Sequence, residues 1–286
     1  MNAVRVVNFL SGGFKLEADF YLPEANGEEK LPAILLCHGF SGVRHELLPE
    51  IAKRFAAAGY AILAPDYRGF GGSEGPAALV DPFTQLEDLR SALTWLEIQP
   101  EIDPARLGVW GTSNGGAHIV YLSGIDNRVK AAVGQVGYGD GRELMLGHKT
   151  EAERTSLLDK VHADRIARLD SPDGGTIQIL ELVSSRQSRD FMEAAGATAF
   201  EIAIRSAETT MLYRPKDVAE DIRCALKLMG AESDDLCPAE NYRALYELAQ
   251  GPKEWKIFPI GHYDFYTPDG LDMSTREALS WYSQHL

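Results

Sequence analysis

From residue 31 onward, short and almost wholly apolar runs alternate with stretches whose apolar residues recur every three or four positions. Leu31-Pro32-Ala33-Ile34-Leu35-Leu36-Cys37 reads as a strand buried on both faces. Leu47, Leu48, Ile51, Phe55 and Ala58 then keep a helical period that stops at Gly59. The rhythm repeats: a strand over 60–64, a helix over 79–96, a strand over 106–110, a helix over 114–122 and a strand over 129–136. Strand–helix–strand units at this spacing imply a mostly parallel sheet with helices on both faces, an α/β architecture. Ahead of them, the alternating segments 4–10 and 14–22 flank Ser11-Gly12-Gly13 and read as a hairpin, followed by a polar loop over 24–30.

The rhythm breaks at Tyr138. Residues 138–215 are helical in composition, with helices expected over 151–169, 187–195 and 200–213 and a Ser-Pro-Asp-Gly-Gly loop at 171–175. Strand and helix patterns then return at 225–229, 239–250, 255–259 and 275–285. The division this implies is an α/β core built from 1–137 and 216–286, with 138–215 inserted as a helical cap.

Composition narrows the function classes. The 286 residues carry 28 Lys+Arg against 42 Asp+Glu, a formal charge of −14. That balance argues against a phosphate-backbone binder, whose affinity comes from clustered basic residues, so no nucleic-acid partner is expected. No apolar run approaches the roughly 18 residues of a membrane span, and the start of the chain lacks the pattern of a secretory signal. Cys37, Cys224 and Cys237 have no metal-like spacing and cannot all pair with one another, which suits a reducing cytoplasm. No metal site or phosphate-cradling loop is present in the pattern, and no cofactor is expected.

Gly111-Thr112-Ser113-Asn114-Gly115-Gly116 contains G-x-S-x-G. As bare letters this says little: 27 Gly and 16 Ser in random order would supply about 0.14 such matches. Context adds the rest. The run Leu107-Gly108-Val109-Trp110 supplies an entering strand, and 117–122 supplies a departing helix, the arrangement that exposes a serine on a sharp turn. The helix aims unpaired N–H groups and its positive end at the serine oxygen. A serine that merely caps a glycine-rich turn is the plainer alternative.

A serine hydroxyl needs a base within hydrogen-bond reach. In this architecture the partners follow in the order Ser, acid, His, and of the seven histidines only His262 and His285 lie in the last part of the chain. His262 follows the 255–259 strand directly, at the sheet edge where ligands bind in open α/β sheets, and is the expected base. The acid should leave the preceding strand, where Glu232, Asp234 and Asp235 compete; Asp234 is preferred because Asp235 is better placed as a turn residue. Asp140, after the 129–136 strand, is a further alternative. The two oxyanion donors are expected to be the backbone N–H groups of Asn114 and Phe40, with His38 bracing the loop.

These residues make the chain resemble the α/β-hydrolases over nearly all of its length outside the cap. The segments that carry the likeness are His38-Gly39-Phe40, Asp66-Tyr67-Arg68-Gly69-Phe70-Gly71-Gly72-Ser73, the turn at 111–116, the segments 230–238 and Gly261-His262. Asp103-Pro104-Ala105-Arg106 is similar to dienelactone-hydrolase-like esterases and the peptidase-related branches. The resemblance implies an eight-stranded sheet with the second strand antiparallel and a cap after the sixth strand. It also implies a hydrolase that uses Ser113, Asp234 and His262 through an acyl-enzyme on a small-molecule acyl substrate. Cleavage of a carboxylic ester, thioester, lactone or small amide is the first expectation; C–C bond hydrolysis or acyl transfer on the same residues is the alternative. In the cap, Met145, Leu146, Phe191, Met192 and Phe200 are candidates to face the site, and Arg186 and Arg189 to meet an anionic group. Leftover apolar cap surface can mediate dimerisation, so a homodimer stays among the expectations.

Overall fold

A computed structural model describes residues 4–24 and 29–286; the expected polar loop at 24–30 falls largely outside the described residues. The chain opens with strands β1 (Val4–Ser11) and β2 (Phe14–Tyr21), paired antiparallel with Ser11 opposite Phe14. There follow β3 (Leu31–Cys37), α1 (Leu48–Ala57), β4 (Ala61–Pro65), α2 (Pro82–Glu97), β5 (Ile102–Thr112), α3 (Asn114–Ile125) and β6 (Val129–Gln135). An inserted segment holds α4 (Gly141–Leu146), α5 (Glu151–Ala167), β7 (Thr176–Gln178), α6 (Ile179–Leu182), α7 (Arg186–Ala194), β8 (Glu201–Ala203) and α8 (Arg205–Leu212). After a 3-10 turn at Pro215–Asp221, the chain ends with β9 (Ala225–Ala231), α9 (Ala239–Leu248), β10 (Lys253–Phe258) and α10 (Pro268–His285).

Eight strands form one sheet in the order β1-β2-β4-β3-β5-β6-β9-β10. The β1–β2 and β2–β4 pairings are antiparallel, and every other neighbour in that sheet is parallel. The apolar runs predict this, because a strand covered on both faces needs apolar residues at every position. Ile34 and Leu36 of β3 pack with Ile51 and Phe55 of α1 and Trp281 and Tyr282 of α10. Ala33, Leu35 and Cys37 face the opposite way, into a core with Leu89 of α2, Ile119 of α3 and Tyr242 of α9. Each such leucine or isoleucine contributes about 1.5–3 kcal/mol by leaving water. Parallel β3, β5, β6, β9 and β10 therefore release their following loops at one sheet edge.

The inserted segment is not wholly helical. The helix expected over 200–213 begins instead as β8, which pairs antiparallel with β7, Ile177 opposite Ile202, and continues as α8. Both isoleucines are buried while Thr176, Gln178 and Glu201 point outward, so pairing between the two short strands overrides the helical pattern at this point. Helix α10 starts before the expected residue 275, because Thr267 caps it by accepting the Gly270 N–H and Pro268 occupies its first turn. Helix α2 likewise starts at Pro82, after the Asp81 cap, rather than at 79.

Candidate active site

Ser113 sits between β5 and α3 with φ 54 and ψ −117, a backbone conformation that non-glycine residues seldom adopt. Its N–H donates to the Gln135 carbonyl oxygen at 2.9 Å, tying the turn to β6. Gly115 explains itself here: a Cβ at that position would collide with the carbonyl oxygen of Cys37 at the end of β3. The glycine lets α3 start close enough to the sheet to hold the serine at its edge.

Three side chains expected to meet do so. The Ser113 Oγ lies 3.2 Å from His262 Nε2, and His262 Nδ1 lies 2.7 Å from Asp234 Oδ2. An ionised carboxylate can only accept, so Nδ1 carries the proton and Nε2 presents a lone pair to the serine hydroxyl. The other carboxylate oxygen of Asp234 accepts the N–H groups of Leu236 at 2.9 Å and Cys237 at 2.7 Å. Those bonds use the turn after β9 to point the remaining oxygen at the imidazole. The Asp234 and His262 side chains are withdrawn from solvent, and Ser113 is also buried. Tyr263 and Tyr266 flank the imidazole with ring centroids at 4.9 and 6.2 Å.

The competing candidates are engaged elsewhere. Asp235 accepts the Gln187 N–H at 3.2 Å, and Glu232 is exposed. Asp140 caps α4 and pairs with Lys216 at 2.6 Å and Arg214 at 3.3 Å. His285 packs on Trp281, with centroids 4.2 Å apart. His38 donates from Nδ1 to its neighbouring Gly39 carbonyl at 3.0 Å and packs on Tyr67; burial pulls its pKa down to about 4, so it is neutral. The Asp66–Ser73 loop is bound into ion pairs, with Asp66 held by Arg44 and Arg68 held by Asp88 at 2.6 Å. Burial pushes the thiols of Cys37 and Cys237 upward, opposite to what a reactive thiolate requires.

Phe40, in the loop after β3, and Asn114, the first residue of α3, both line the cavity that Ser113 and His262 share. The Asn114 N–H falls in the first helical turn, where no intrahelical acceptor exists. Its side chain is occupied below the turn, accepting the Tyr138 hydroxyl at 2.6 Å and donating to Gln85 at 3.2 Å. His118, Gln85 and Tyr213 complete this buried polar cluster. The sequence offered no signal for it beyond polar residues on the inner face of two helices.

The cavity measures about 620 Å³, within the range of small-molecule sites. Leu144, Ile179, Val183, Phe191, Met192 and Phe200 of the inserted segment form one apolar wall, and Phe40, Val43, Leu47, Leu236 and Leu271 another. Of the expected wall residues, Met145 and Leu146 instead belong to the buried core. Arg186 and Arg189 do not line the cavity; Arg186 is exposed and lies 3.7 Å from Asp190. Among the described residues, the carboxyl side chains lining the cavity are those of Glu46 and Glu50, on the side of the loop leading into α1. Among the described residues no cluster of three or more His, Cys, Asp or Glu side chains could hold a metal ion, and no helix is long and apolar enough to cross a membrane. Chemically, a lone pair aimed at a serine hydroxyl beside a helix N-terminus can generate an alkoxide-like nucleophile and hold the oxyanion it forms.

Residues 12–263 match the X-Pro dipeptidyl-peptidase (S15) family. An uncharacterized 31.7 kDa protein in the traX-finO intergenic region of Escherichia coli is 34% identical over 97% of this chain and 98% of that protein. Thiohydrolase aneE of Aspergillus aculeatus is 30% identical over 88% of this chain and 84% of that protein. The solved structure of the α/β hydrolase GrgF from Penicillium sp. sh18 superposes with a TM-score of 0.86 over 99% of both chains, at 24% identity. A Penicillium relative named polyketide transferase grgF is 26% identical over 89% of this chain and 88% of that protein. With eight mostly parallel strands carrying a serine turn between the fifth strand and its helix, this chain belongs to the X-Pro dipeptidyl-peptidase (S15) family and is an α/β-hydrolase enzyme, a hydrolase.

Proposed function

We propose that the protein is a serine hydrolase that cleaves a carboxylic ester or thioester with an apolar acyl group, through an acyl-enzyme on Ser113. The single observation that carries this reading is the hydrogen-bonded chain from Asp234 through His262 to Ser113, opening on an apolar cavity of about 620 Å³. In the first step His262 Nε2 takes the hydroxyl proton as Ser113 Oγ bonds to the acyl carbon. The carbonyl π electrons move onto oxygen, which the Asn114 and Phe40 N–H groups receive. Collapse of the adduct expels the alcohol or thiol, which takes the proton from His262. Water activated by the same imidazole then releases the acid and restores the serine. Asp234 keeps the imidazole in the required tautomer and stabilises its cation. The segment 138–215 acts as a cap that supplies the acyl wall, and the three free cysteines suit a cytoplasmic enzyme.

The thiohydrolase name of one relative supports the thioester reading. The polyketide transferase name of another supports acyl transfer as the second reading, in which an alcohol or amine replaces water in the last step. The test is turnover of p-nitrophenyl esters and matching N-acetylcysteamine thioesters, with labelling by a fluorophosphonate probe. Ser113→Ala is expected to lose labelling and about 10⁴–10⁶ in kcat. Full turnover by that variant would refute the assignment. Ester or amide products appearing on addition of alcohols or amines, at the expense of free acid, would favour transfer.

A further inference from the structure

We infer that Gln187, on the first turn of α7 in the inserted segment, is a positioning residue that holds the acid loop and the base loop in register. The inference rests on the proposed roles of Asp234 and His262. Those two residues stand on separate loops, after β9 and β10, and each loop is free to shift unless something spans both. At their base, backbone bonds join them: Glu232 N–H to Phe258 O at 2.9 Å and Ser233 N–H to Ile260 O at 3.0 Å. At the far end, beyond the Asp234–His262 bond itself, Gln187 is the residue outside the two loops that hydrogen-bonds to both among the described residues. Its Oε1 accepts the backbone N–H of His262 at 2.9 Å, and its Nε2 donates to the carbonyl oxygen of Ser233 at 2.6 Å. Its own backbone N–H donates to Asp235 Oδ2 at 3.2 Å. One side-chain amide thus ties the residue before the acid to the base itself.

The rest of α7 is seated on the same loop. Tyr263 donates its hydroxyl to Ser188 Oγ at 2.9 Å, and the Phe191 and Tyr263 rings stack with centroids 4.3 Å apart. Gly261 makes the approach possible, since a Cβ there would lie 2.7 Å from Gln187 Nε2 and 3.0 Å from the amide carbon. The backbone position of His262 sets where its ring can reach, and a misplacement of about 1 Å costs on the order of 10²-fold in rate. Gln187 touches neither Ser113 nor the cavity, so it acts through His262 and leaves substrate binding alone.

The test compares wild type, Gln187→Met, Gln187→Glu and the neighbouring exposed-residue control Arg186→Ala, with p-nitrophenyl butyrate and with a fluorophosphonate probe. Gln187→Met keeps the volume and loses both amide bonds. Its kcat is expected to fall about 10- to 100-fold with KM within about threefold, and its labelling rate to fall in proportion. Gln187→Glu keeps an acceptor for the His262 N–H but sets a second acceptor against the Ser233 carbonyl oxygen, so it also breaks the span and is expected to lose labelling rate as Gln187→Met does; an unchanged melting temperature in either variant guards against misfolding of the other. Arg186→Ala is expected to match wild type. Wild-type kcat and labelling in Gln187→Met, or a loss carried by KM alone, would overturn the inference. So would wild-type labelling in Gln187→Glu. Ser113→Ala separates the layers: if it stays active the proposed function fails, and if it is dead while Gln187→Met is normal only this inference fails.

Discussion

His262 Nδ1 stands 2.7 Å from an Asp234 carboxylate oxygen, and both side chains are sealed from water by the loops that carry them. A carboxylate in that position enforces one tautomer. Asp234→Asn keeps the shape and offers an amide that can hold the ring in either tautomer. It is expected to lower kcat by about 10⁴ with little change in melting temperature. Saturation kinetics on an aryl ester measure it, and a loss below tenfold would show that Asp234 does not serve the imidazole.

The Gly115–Cys37 approach predicts a different failure. In Gly115→Ala the added methyl meets a backbone carbonyl, which cannot rotate aside, so α3 must retreat from β3. Overpacking of this kind costs typically about 1–3 kcal/mol, and the displaced turn carries Ser113. Both the melting temperature and fluorophosphonate labelling are expected to drop together. A stable, fully labelled variant would contradict the close packing described.

Two buried histidines set an acid limit on stability. Burial lowers His38 to about 4 and His118 to about 3, from an ordinary 6.5. As pH falls below 6.5 the unfolded chain binds protons that the folded chain refuses, so stability is lost from there down to the folded values. With two protons the slope approaches about 3 kcal/mol per pH unit. Urea midpoints at pH 6.5, 5.5 and 4.5 check this, and His118→Gln is expected to remove about a third of the histidine part, because burial also draws the half-buried His148 down to about 4. An unchanged slope in that variant would mean that His118 is protonated in the fold.

Lys149 gives the opposite window. Its ammonium is buried, with no carboxylate contact among the described residues, on the Leu182 carbonyl at 2.9 Å, Ser184 Oγ at 2.8 Å and His148 Nε2 at 3.3 Å. Burial draws its pKa from 10.5 down to about 8. The unfolded chain holds this proton more tightly, so stability from this group rises as pH climbs from 8 to 10.5. Wild type is therefore expected to gain melting temperature relative to Lys149→Met across that interval. A constant gap between the two would rule out the lowered pKa.

Legibility followed the range of the interactions. The pattern around Ser113 was readable because strand, turn and helix are contiguous, and each step is enforced by neighbours in the chain. Helix α10 shows a local signal of the same kind that periodicity alone overlooked, the cap at Thr267 followed by Pro268. The β7–β8 ribbon was hidden for another reason. Strands of three residues carry too few positions to display a period, and each is stable only because the other pairs with it.

The linear order of residues determined the alternating architecture, the serine turn and the short choice of partners, because burial pattern and turn chemistry act within a few residues. Only the tertiary structure decided that Asp234 and not Asp235 faces His262, and that a glutamine from the inserted segment clamps both loops. The same holds for the apolar cavity, whose walls come from the core and the insert alike. Ser113 and His262 are 149 positions apart. Which side chains close such a gap depends on how whole elements pack, and a pattern read along the chain carries no information about that distance.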